Sequence, residues 1–131
     1  MANDLYPVGM QRLLNKELDM DTDVQKLVLI DSADYTYSTA HDDLADVAGA
    51  GQVAVATLGT LTITNGTFDS ADGSFSSVSG DQSEALIIYD DTHANDALIL
   101  FLDTSITGMP VTPNGGNINF TVHSSGWFAL T

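Results

Sequence analysis

Two apolar runs, ALIIY (85–89) and ALILFL (97–102), flank the acidic tip Asp90-Asp91-Thr92-His93-Ala94-Asn95-Asp96. Neither run alternates apolar with polar residues, so each reads as a central strand covered on both faces. The tip contains Asn and Asp, which tolerate turn geometry, and reads as the turn of a hairpin. A metal-site reading would use Asp90, Asp91, His93 and Asp96, because a hard cation needs several oxygen ligands converging on one point. A hairpin tip seldom holds ligands that way, so the turn is the expectation.

The rest of the chain is mostly β as well. The stretch 24–30 is an apolar strand, and QVAVATL (52–58) and TLTIT (60–64) are rich in Val, Thr and Ile on either side of Gly59. Shorter strands fall around Phe68 and over 75–78. SITGMPVTPNGG (105–116) is a long turn region. NINFTV (117–122) alternates, with Ile118, Phe120 and Val122 on one face, and WFAL (127–130) closes the chain. Near the start, Met10, Leu13, Leu14 and Leu18 have helical spacing, with Pro7 by the first turn. A further helical turn is expected near Thr39, capped by Ser38 or Thr39, with Asp42 and Asp43 at its positive end. The expectation is a mainly β, single-domain sandwich or barrel of about eight short strands with a short N-terminal amphipathic helix. Residues 1–23 form an N-terminal arm and helix, and 24–131 the β-rich body.

Charge narrows the functions. The chain has 18 Asp and Glu against 3 Lys and Arg, a formal net charge of −15. Arg12, Lys16 and Lys26 are the only fixed cations, and none follows Lys26. Nucleic-acid affinity comes from Lys and Arg neutralising phosphates, and anionic lipid attracts the same residues, so neither nucleic acid nor membrane is an expected partner. The absence of Cys rules out disulfides and thiolate zinc. MANDLYPVGMQRLL lacks the basic start and long apolar stretch of a secretory signal, which points to synthesis in the cytosol.

Catalytic signatures are sparse. Three histidines, His41, His93 and His123, are present without a G-x-S-x-G elbow. Asp19-x-Asp21-x-Asp23 begins like a calcium loop, but Val24 stands where the sixth-position Gly belongs and Ile30 where the bidentate Glu belongs. No glycine-rich nucleotide fingerprint occurs, so no cofactor is expected. A non-enzymatic protein is the expectation.

Three stretches, KLVLIDSADYTYSTAHDDLADV (26–47), VSGDQSEALIIYDDT (78–92) and GMPVTPNGGNINF (108–120), resemble in order and spacing a family of small virion structural proteins of tailed bacteriophages. The similarity runs from about Leu5 to Leu130. It implies a structural component of the particle: a head decoration protein on the capsid exterior, made in the host cytoplasm, with the major capsid protein as partner. A tail, neck or fibre component is the alternative, with a receptor- or glycan-binding patch around Trp127, Phe128, Tyr35 and Tyr37. In this setting Leu5, Tyr6, Pro7, Met10, Arg12, Leu13 and Lys16 form an exposed-looking capsid-docking arm, or else a helix that packs back on its own body. Ile118, Phe120, Trp127 and Phe128 lie on strands whose open edges could pair between copies, and a trimer at capsid threefold positions is the expected assembly.

Overall fold

The computed structural model describes residues 3–103 and 109–129. Its strands are β1 (Asn3–Leu5), β2 (Gln25–Ile30), β3 (Gln52–Thr57), β4 (Thr62–Thr64), β5 (Thr67–Asp69), β6 (Gly73–Phe75), β7 (Ala85–Asp90), β8 (Ala97–Leu102), β9 (Ile118–Phe120) and β10 (Phe128–Ala129). One α-helix, α1 (Pro7–Leu14), follows β1. The strands form antiparallel sheets of five (β1-β8-β7-β2-β3), three (β10-β5-β4) and two (β6-β9). The fold is therefore a mainly β, sandwich-like stack of open sheets; the barrel alternative is not what the described strands build. Residues 105–108 of the long turn region and Leu130 of the last strand lie outside the described residues.

The two apolar runs are the centre of the large sheet, as their patterning predicts. Every residue of β7 and β8 is buried. Alternation sends Leu27, Leu29, Leu86 and Ile88 to one face, where Phe68, Phe75, Phe120, Leu18 and Met20 cover them. Val28, Ile30, Ala85 and Ile87 go to the other face, beneath Tyr6, Tyr35 and Val47. The smaller sheets and α1 thus form one outer layer, and the loop after β2 forms the other. Each fully buried Leu or Ile contributes roughly 1.5–3 kcal/mol, so these two faces dominate the stability. A register shift where β8 passes Ile88 and Tyr89 lets Ile99 and Leu100 face the same layer.

One expectation needs correction, and two others are refined. The helix ends at Leu14 rather than running to Leu18. Lys16 adopts a left-handed conformation (φ 64), while the N–H groups of Lys16 and Glu17 return to the carbonyls of Leu13 and Arg12. Leu18 reaches the core after this turn, and Leu14 is left 80% exposed. The predicted turn at Thr39 forms as a single turn, with Ser38 Oγ accepting from Ala40 N and the Ser38 carbonyl from His41 N, both at 3.1 Å. A separate 3-10 turn follows at Leu44–Asp46, where Asp43 and Asp46 make a reciprocal capping box. Of the two readings left open for the N-terminal segment, the structure takes the self-packed one. Asp4 and Leu5 pair with Phe101 and Leu100 as an edge of the large sheet, and Tyr6 is fully buried.

Candidate functional site

The expected docking residues lie mostly within the protein's own packing. Tyr6 sits under the sheet with its hydroxyl 2.8 Å from that of Tyr35, which in turn lies 2.8 Å from His41 Nδ1. Arg12 is committed internally: Nη1 donates to the Asp42 carbonyl at 2.8 Å and lies 2.9 Å from Asp43 Oδ1. Leu5, Met10 and Leu13 pack partly against the core. Pro7 and Lys16 are exposed. Seen together, these side chains hold α1 on its own body, the second of the two readings the sequence left open.

The aromatic residues also divide differently from expectation. Phe120 packs between Phe75 (5.6 Å between centroids) and Trp127 (6.2 Å), and Phe128 packs on Phe68 (5.6 Å). Trp127 Nε1 donates to Ser70 Oγ at 2.8 Å. Ile118 is paired across to Phe75. These four residues serve the layer on one side of the large sheet, whereas Tyr35 and Tyr37 belong to the other. A single patch of Trp127, Phe128, Tyr35 and Tyr37 therefore does not form.

The tip 90–96 is a turn tied to its neighbours. Asp91 N donates to the Val24 carbonyl and Val24 N to Thr92 Oγ1, both at 2.8 Å. Its acidic groups diverge: Asp91 lies 3.4 Å from Lys26 Nζ, and His93 Nε2 lies 3.4 Å from Glu17. Asp90 turns inward and accepts from Gln25 Nε2 and His93 N, both at 2.9 Å. Burial, reinforced by the neighbouring Asp23 carboxyl, pushes Asp90 up to about 6.

The opposite end of the large sheet carries a second group of acids, without Arg12, Lys16 or Lys26 beside it. There Ile30 is level with Ala85, Leu86 with Leu102, and Leu102 with Asn3. Parts of 26–47, 78–92 and 108–120 meet at this end. Ser83 and Val111 exchange backbone hydrogen bonds of 2.8 and 2.9 Å, and Ser32 N donates to Glu84 Oε1 at 2.9 Å. Asp31, Asp34 and Asp81 bring carboxylate oxygens within 4.8 Å of one another, with Asp31 buried and the other two exposed. Sequence reasoning missed this group because Asp81 is far from the other two along the chain.

Beside it opens a cleft of about 320 Å³ whose lining includes Asp4, Thr36, Tyr37, Phe101 and Asp103, with Tyr35 beneath. Asp4 stands directly across from Phe101 in the β1–β8 ladder, and Asp103 follows Phe101 by two positions. Strand alternation therefore sends all three side chains to one face. The Tyr37 ring lies 5.6 Å from that of Phe101, and its hydroxyl donates to the Leu5 carbonyl at 2.8 Å. Burial, then the negative charge of Asp4, raises the Tyr37 phenol above its ordinary range. The fixed cations are at the far end: Arg12 by Asp43, which bridges to Ala97, Lys26 by Asp91, and Lys16 next to Glu17. Among the described residues, no helix is long and apolar enough to cross a membrane. Neither a scan against protein-family models nor a search of curated proteins finds a match for this chain.

Proposed function

We propose that this chain is a non-catalytic structural protein of a tailed-phage particle, a head decoration protein that docks on the outer capsid surface through the acidic end of its large sheet. One observation carries the reading. Parts of the three stretches that resemble the virion family, far apart in the chain, are joined at one end of the sheet through the Ser83–Val111 pairing and the Ser32–Glu84 hydrogen bond. That end presents Asp34 and Asp81 to solvent and has the cleft beside it. Its charge suits a basic surface on the major capsid protein, since complementary potentials steer docking and fix its orientation. The internal engagement of Tyr6 and Arg12 moves the proposed dock away from α1.

The test is co-sedimentation of the purified protein with capsids that lack it. Asp34→Lys with Asp81→Lys reverses charge at the acidic end, and Leu14→Asp alters the exposed flank of α1. Saturable binding that the first change abolishes and the second leaves intact supports the reading. Loss with Leu14→Asp alone returns the dock to the helix. Absence of binding by the wild-type protein overturns capsid decoration and favours a tail, neck or fibre position.

A further inference from the structure

The cleft between β1, β8 and the loop after β2 combines features that point to a particular kind of ligand. Phe101 and Tyr35 give it an apolar base, since they are 6% and 5% exposed, and the half-buried Tyr37 ring forms a wall. Asp4 and Asp103 project on the same face as Phe101. None of the chain's three Lys and Arg side chains lines the cleft.

A neutral apolar ligand would strip water from the Asp4 carboxylate and put nothing in its place. A phosphate or carboxylate would meet like charge. A small hydrated metal ion would gain nothing from the aromatic base, because it needs several oxygens at close range. A long amphipathic cation satisfies every wall. Its aliphatic stem covers the apolar base while the charged head reaches the carboxylates. A guanidinium fits better than an ammonium, because it is planar, weakly hydrated, stacks on aromatic rings and forks towards carboxylates.

We infer that this cleft binds the side chain of an arginine presented by a partner protein, with Asp4 and Asp103 holding the guanidinium and Tyr37 flanking its plane. The inference deepens the reading of the acidic end as a docking face and rests on that reading for its partner. The cleft chemistry itself is testable without any capsid, so the two ideas fail separately.

The experiment titrates the full-length, isotope-labelled protein with N-acetyl-arginine methylamide and follows the Tyr37 and Phe101 ring signals and the Thr36 and Asp103 amides by NMR. The citrulline analogue, isosteric but uncharged, is the control ligand. Saturable shifts confined to the cleft, absent with citrulline, are expected. Asp4→Asn weakens the affinity about fivefold, the size of one partly exposed ion pair, and Asp21→Asn at the far end leaves it unchanged. Asp103→Asn, at an exposed position beyond the end of β8, repeats the comparison should Asp4→Asn perturb β1. Shifts spread over acidic residues at both ends, equal shifts with citrulline, or undiminished affinity in both cleft variants would each overturn the proposal.

Discussion

Gln25 Nε2 donates a 2.9 Å hydrogen bond to Asp90 Oδ2 with both side chains fully buried, while Gln25 Oε1 has no partner among the described residues. The carboxyl of Asp90 also meets that of Asp23, so burial and a like charge act in the same direction and raise it to about 6. A carboxyl raised in the fold above its unfolded value of 3.8 binds its proton more tightly when native. Its contribution to stability is fully present below about pH 4, falls as pH rises towards 6, and is level above that. The difference in unfolding free energy between Asp90→Asn and wild type, measured with urea from pH 4 to pH 7, therefore shifts in favour of the variant by about 2 kcal/mol. A difference that stays constant across that range would remove the proton from Asp90.

Gly9 is the buried residue of α1, and a Cβ added there would overlap the Leu98 carbonyl oxygen of β8. On helix propensity alone, Gly9→Ala would gain about 1 kcal/mol. The contact is with backbone, which cannot swing aside, so overpacking should prevail at about 1–3 kcal/mol of destabilisation. Thermal unfolding decides by sign alone, since a raised Tm would mean that α1 does not sit on β8.

Lys16 occupies the left-handed position that closes α1 (φ 64). A side chain there costs roughly 1 kcal/mol relative to glycine, so Lys16→Gly should raise stability by about that amount. Its exposed side chain makes no ion pair among the described residues, so no compensating loss is expected. Chemical denaturation of the two proteins gives the comparison, with an unchanged midpoint as the contrary result.

All four tyrosines are held above their ordinary range, chiefly by burial, with Tyr89 pushed up to about 12. Each stays neutral in the fold at a pH where the unfolded chain would ionise it. Stability is therefore unaffected below about pH 10 and declines as pH rises beyond it. Absorbance at 295 nm should show little phenolate through pH 10 and then rise steeply together with loss of the fold. A smooth titration centred near pH 10, with circular dichroism unchanged, would contradict the buried Tyr6–Tyr35 pair.

What the sequence determined by itself was the architecture. β7 and β8 are legible because six consecutive buried residues must be covered on both faces, and that demand holds whatever surrounds them. β9 was legible from alternation: Phe120 is buried, and Asn119 beside it is exposed. Tertiary structure alone decided the N-terminal segment. Three residues of β1 carry no periodicity, and they are a strand only because the edge of β8 pairs with them. Tyr6 looked like part of an exposed arm, yet its burial depends on Tyr35, 29 positions away, which local pattern cannot report. The Ser38 cap was legible locally, since Ala40 N donates to its hydroxyl, whereas the turn at Leu44–Asp46 was not, its Leu44 N–H being committed to the Asp96 carbonyl on the neighbouring tip. The acidic end was legible only in pieces. Its residues are ordinary loop acids along the chain, and the ladder β2–β7–β8–β1 brings Asp31, Asp81, Asp103 and Asp4 to one end of the sheet. A strand's pattern is set by local burial, whereas a site assembled from distant loops is set by register, and register exists only once the strands have paired.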